Sequence, residues 1–178
     1  RVMRTSLIGI YNAQYIHAFK CVMQMLNIVL MQLDKFSDYA LRILITLAVR
    51  APDRVATSEI AKLFQISENH LSKIATQLTR EEFVISERGR NGGLTLRHPA
   101  ETISVGAVLR ALKKDAPVAE CFGGNKTCLI LPVCGLRGPL ADAQEAFFAT
   151  LDGYSLADVL GPRGTMAAML RIEADTAQ

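Results

Sequence analysis

The 178-residue chain has no tryptophan, draws only 6% of its residues from the aromatics, and holds three histidines and four cysteines. Each scarcity excludes something. A core short of large rings must come from Leu, Ile, Val and Ala, which suits a helix-rich protein. His17, His70 and His98 stand far apart, so no Ser-His-Asp set can be read. Neither a paired-carboxylate site nor a phosphate-binding glycine loop occurs, and Arg88–Gly93 lacks the Lys-Ser/Thr ending of a P-loop. The chain is therefore expected not to be an enzyme. No run reaches the ~18 apolar residues of a spanning helix, and no secretory signal with a cleavage site is visible. A cytoplasmic protein with no membrane partner is expected, in a compartment that keeps thiols reduced.

Residues 1–30 lack acids altogether and carry three Lys/Arg among scattered apolar residues. A membrane-surface helix or a targeting segment would have this composition. The preferred expectation is a non-native or upstream-start extension, with Met31 as the natural start and Cys21 outside the function. Elsewhere the charge is uneven. Residues 54–98 hold seven Lys/Arg against five acids, whereas 141–178 hold two against six. The middle of the chain is basic and its end is acidic.

From Met31 the pattern becomes helical. Phe36, Ala40, Leu41, Leu44, Leu47 and Ala48 recur at helical spacing, with Ser37 or Asp38 as cap and Pro52 as stop. A short helix follows, capped by Thr57 or Ser58 and burying Ile60, Ala61 and Leu63. After a tight turn at Gln65-Ile66-Ser67, a third helix buries Leu71, Ile74, Ala75 and Leu78, with Ser67 as its cap. This order is a helix-turn-helix. The polar side of the third helix offers Asn69, His70, Ser72, Lys73 and Gln77. Its early residues can meet base edges and Lys73 a phosphate, although a solvated face would look the same.

The next segment favours the DNA reading. Phe83–Ser86 and Leu94–Leu96 read as strands around a glycine-rich turn, a β-hairpin with a basic tip. Directly behind a recognition helix, such a hairpin is a wing. Arg88 and Arg90 can reach a minor groove or its phosphates, Gly92-Gly93 permit close backbone approach, and Asn91 and Gly92 join the arginines as expected DNA-binding residues. The predicted fold is mainly α with a small β-hairpin: a winged helix-turn-helix domain over 31–115 plus a long dimerisation helix. Ile103, Val105, Val108, Leu109 and Leu112 mark one more helix, ending near Pro117. Leu140, Ala143, Phe147, Leu151 and Tyr154 line one face of the long helix within 138–165, and that face suits a second copy. A homodimer also matches two-fold reading of double-stranded operator DNA. Ser155–Asp158 resembles a capping box opening a last short helix, and 166–178 is a tail.

Between these parts, in 116–137, lies Cys121-x6-Cys128-x5-Cys134, three cysteines within 14 residues. Thiolates so close can converge on one metal. Zinc, an iron–sulfur cluster and plain redox thiols all remain open, and the set is one ligand short of four.

FSDYALR at Phe36–Arg42, RGRNGG at Arg88–Gly93 and AECF with CGL around Cys121–Leu136 together carry a likeness. From Met31 to about Leu160 the chain resembles the winged-helix, iron–sulfur-regulated repressors of the IscR, RirA and NsrR group. Asn69-His70-Leu71, LDGYSLADVL at Leu151–Leu160 and Asp38 are similar to the nitric-oxide-sensing NsrR branch. The six-residue gap after Cys121 departs from that branch and keeps a RirA-like iron-responsive regulator as the alternative. Arg137, where an IscR-like regulator supplies histidine, stands against an IscR-like sensor. The resemblance implies a 4Fe-4S or 2Fe-2S cluster on Cys121, Cys128 and Cys134. It implies Asp38 of the partner subunit as the fourth ligand, and nitric oxide as the signal that ends repression.

Overall fold

A computed structural model describes residues 33–89, 92–113, 118–123, 128–161, 165–166 and 168–170. The elements below all lie in one compact unit that begins at Asp34. The segment 1–30 and most of the 166–178 tail lie outside the described residues.

Helix α1 spans Lys35–Arg50. Its cap is Asp34, not Ser37 or Asp38: the Asp34 carboxylate accepts from the Phe36 amide at 3.0 Å and the Ser37 amide at 3.1 Å. Ser37 instead is buried and donates its hydroxyl to Asp34 at 2.9 Å. The helix thus begins about a turn earlier than expected. Ile43 and Thr46 join Ala40, Leu44 and Leu47 on the buried side, while Leu41 and Ala48 stay half-buried. Thr46 is satisfied by the Arg42 carbonyl at 2.7 Å.

Helix α2, Thr57–Phe64, starts at Ala56 with no side-chain cap, so neither Thr57 nor Ser58 fills that role. The neighbouring backbone is held elsewhere. Val55 exchanges hydrogen bonds with Leu94 at 3.1 and 2.9 Å, an isolated β-bridge that ties the entry of α2 to the wing. Ile60 and Ala61 are buried and Leu63 is half-buried. Gln65 turns the chain in the left-handed region at φ 54°. Ser67 then caps α3, Glu68–Arg80, accepting from the His70 amide at 3.3 Å. Leu71, Ile74, Ala75 and Leu78 are its buried side, as the spacing requires.

Strands β1 (Val84–Glu87) and β2 (Gly93–Leu96) pair antiparallel, Val84 opposite Leu96 and Glu87 opposite Gly93. The first is shifted by one residue from its sequence reading, and the second starts one residue earlier and ends at Leu96 as read. Helix α4, Val105–Lys113, follows; the Ser104 hydroxyl accepts from the Ala107 amide at 3.2 Å and the Ser104 carbonyl from the Val108 amide at 3.1 Å. Ile103, Val105, Val108 and Leu109 are buried and Leu112 is half-buried. After the cysteine loop comes α5, Arg137–Asp152, and then a single 3-10 turn at Asp158–Leu160. The predicted capping box is present. The Ser155 amide and hydroxyl donate to Asp158 at 2.8 and 2.7 Å, and the Asp158 amide donates back at 3.2 Å.

The chain end returns to the first domain. The Leu156 amide donates to the Ile103 carbonyl at 2.7 Å, and the Leu156 side chain is buried in the core shared by α1, α2 and α3. This is the mainly α, hairpin-bearing architecture that the patterning predicts.

Candidate DNA interface and cysteine loop

The exposed stripe of α3 consists of Asn69, Ser72, Lys73, Thr76 and Arg80. Thr76 and Arg80 extend the predicted set. Their spacing from Asn69 and Ser72 is helical, so the same periodicity that found the core could have found them. Two predicted members sit differently. Gln77 is half-buried and donates to Glu81 at 3.0 Å. His70 is half-buried because its ring meets Tyr39 of α1 edge-on, centroids 5.4 Å apart. Tyr39 therefore shapes the reading face from behind.

In the wing, Arg88 is exposed at the end of β1. Arg90 and Asn91 lie outside the described residues. Gly92 closes the turn by donating its amide to Gly89 at 2.9 Å. A Cβ there would run into the Glu87 carbonyl and come within 2.9 Å of the Arg88 backbone, so a side chain would open the tip. The tip end of the wing's strands is fastened by Arg54, whose guanidinium bridges both Glu87 carboxylate oxygens at 2.5 and 2.6 Å. Sequence reading missed that fastener, since the partners are distant in the chain.

The cysteine loop leaves α4 and enters α5. Its entry is tied to α1 by an ion pair between Lys113 and Asp34. Burial works to raise the Asp34 carboxyl, but Lys113 and the Ser37 amide and hydroxyl outweigh it and hold the group below its ordinary range. Cys121 sits within a 3-10 turn, Glu120–Phe122. The Cys128 carbonyl accepts from Leu131 at 3.1 Å, and Cys134 ends a second turn, Leu131–Val133. All three cysteines are free thiols, Cys128 exposed and the others half-buried. Among the described residues no three His, Cys, Asp or Glu side chains gather closely enough to hold a metal ion. The donors fit a soft metal in kind, three reduced sulfurs on one loop with none spent in a disulfide.

Asp38 lies in the first turn of α1 and is gripped by Arg42, Nη2 to Oδ2 at 2.8 Å and Nε to Oδ1 at 3.2 Å. The Arg42 guanidinium in turn lies 5.6 Å from the Tyr39 ring centre and 5.5 Å from that of Phe64. Asp38, Arg42, Tyr39 and His70 thus form a continuous contact chain from the start of α1 to the recognition helix.

Residues 33–162 match the model of the Rrf2 family, described as an iron-dependent transcriptional regulator. The chain belongs to the Rrf2 family. Among its Rrf2 relatives, the HTH-type transcriptional regulator NsrR of Oceanobacillus iheyensis is 40% identical over 145 residues, spanning 80% of this chain and 99% of that protein. The NsrR of Bacillus subtilis is 38% identical over the same shares of both chains. The likeness to the NsrR type holds, and these relatives are regulators rather than enzymes. The solved structure of CymR, the global cysteine regulator of B. subtilis, superposes with TM-score 0.56 at 24% identity, over 72% of this chain and 95% of that one. IscR of T. potens gives 0.56 at 20%, over 83% and 91%. Both share the winged-helix fold. Among the described residues no helix is long and apolar enough to cross a membrane.

Proposed function

We propose that this Rrf2 regulator is a cytoplasmic repressor that grips operator DNA as a homodimer, carries an iron–sulfur cluster and releases DNA when nitric oxide attacks it. Asn69, His70, Ser72 and Lys73 would read and position the duplex, with Arg88, Arg90, Asn91 and Gly92 in the wing. Cys121, Cys128 and Cys134 would hold the cluster, with Asp38 of the partner subunit as the fourth donor. Bound there, the cluster supplies a centre that nitric oxide can degrade. A hard carboxylate on soft iron leaves that corner the most labile.

The observation that carries the reading is the set of three free thiols on one loop, tied through Lys113 and Asp34 to α1. The protein's own part follows from α1. While Asp38 is paired with Arg42, the guanidinium is held beside Tyr39 and Phe64. Drawing Asp38 toward the partner's loop would free Arg42, and Tyr39 would pass the change to His70. Packed contacts that have two arrangements can amplify such small shifts.

The test is an anaerobic titration of reconstituted protein with nitric oxide, following operator binding beside the visible spectrum. Affinity should fall as the bands bleach; unchanged affinity would sink the sensor. A colourless protein holding zinc would point to a zinc-stabilised DNA-binding protein instead. Release on iron depletion alone would favour the RirA-like alternative. Cys128→Ala should abolish the bands, and bands that persist would reject that ligand.

A further inference from the structure

Phe122 and Arg137, on either side of Cys128 and Cys134, meet in the cysteine loop. The Arg137 guanidinium lies 5.3 Å from the centre of the Phe122 ring, within the range where a cation is attracted to an aromatic face. Phe122 follows Cys121, and Arg137 stands three residues after Cys134 at the start of α5. Cys128 and Cys134 lie between them in the sequence. A guanidinium has only donors and cannot be a metal ligand. It can still bring a positive charge to a loop whose thiols must become anionic to bind metal.

We propose that Arg137 and Phe122 form a latch that closes the cysteine loop before metal arrives, making Arg137 a positioning residue for the thiol set. The role rests on the metal-holding function proposed for this loop, though the latch itself is a property of the metal-free chain. Joining the loop's ends in advance removes part of the chain entropy that metal binding must otherwise overcome. Outside the latch, side-chain bonds link the two flanking helices: Arg110 of α4 bonds Glu145 at 2.6 and 2.8 Å and Asp152 at 2.9 Å.

The test uses the full chain with Cys21→Ser and Cys128→Ser, equilibrated metal-free in glutathione buffers. Formation of the Cys121–Cys134 disulfide consumes one glutathione disulfide and yields two glutathione thiols, so its equilibrium reports the effective concentration of one thiol near the other. Phe122→Leu and Arg137→Gln should each lower it about two- to five-fold. The double variant should fall no further than either single one, and Arg137→Lys should keep most of the native value. Unchanged single variants, or effects that add fully in the double variant, would overturn the latch. In the four-cysteine chain, reconstituted Arg137→Gln should lose its cluster to a chelator faster than the unaltered protein. Should the unaltered protein take up no cluster, the proposed function fails, while the glutathione equilibrium still decides on the latch.

Discussion

Helices α3 and α5 illustrate two ways of being a helix in one chain. Thirteen-residue α3 buries Leu71, Ile74, Ala75 and Leu78 and keeps a polar stripe outside. Sixteen-residue α5 buries only Phe148. Beside it, the cysteine loop leaves Leu129 94% and Val133 86% exposed, with Ile130 and Leu136 more than half exposed. Apolar surface of this kind is costly in water and usually marks a surface to be covered. The half that holds α3 buries its apolar face within one chain, whereas the half that holds the cysteine loop leaves apolar surface uncovered. A second copy is the occupant our proposal assigns.

The sharpest way to break this contrast is to shorten one leucine in each half. Leu71→Ala should cost roughly 2–5 kcal/mol of stability, the ordinary penalty for an unfilled core site. Leu140→Ala, at a half-buried position, should cost the dilute chain less than about 1 kcal/mol. It should instead weaken self-association in sedimentation. Equal destabilisation of the two variants in dilute chemical denaturation would abolish the distinction.

The reading face offers a second, smaller contrast. Asn69→Ala should cost about 1–3 kcal/mol on operator DNA and little on unrelated duplex, as expected for a base contact. Lys73→Ala should weaken both and lower the salt slope by about one unit. Binding isotherms at several salt concentrations check this, and identical profiles for the two variants would contradict the assigned roles.

The smallest effect belongs to the Asp34–Lys113 pair between the halves. The folded carboxyl is held below its ordinary value of 3.8. Its contribution is thus present above that value and is lost as pH falls through the depressed folded one. The pair is partly exposed, so the contribution is at most about 1 kcal/mol. Asp34→Asn keeps a capping oxygen and should flatten the loss of stability below about pH 4 in acid titrations. An unchanged acid limb would exclude the pair as a contributor.

The buried set of α3 was legible because its apolar residues recur with the period of a helix, and the Ser67 cap and the Ser155–Asp158 box because their groups are neighbours in sequence. The start of α1 was not. Asp34 and Ser37 satisfy each other, and Phe36 is already inside the helix, so the first apolar residue misleads. At α2 the β-bridge of Val55 to Leu94 fixes the entry, a long-range contact that local spacing does not encode. In the site, exposed Asn69, Ser72 and Lys73 followed from spacing, whereas Tyr39 against His70, Arg54 on Glu87 and Arg137 over Phe122 are tertiary contacts that periodicity does not encode.

Gly106 in α4 faces the last turn of α5 so closely that a Cβ would come within 2.5 Å of the Asp152 amide nitrogen and 2.8 Å of its Cα. No methyl group fits there, and Leu156 anchors the chain just beyond. That end of α5 is a fulcrum. A sixteen-residue helix is about 24 Å long, so any tilt about Asp152 leaves the C-terminal end nearly still and sweeps Arg137 and Cys134 through the widest arc.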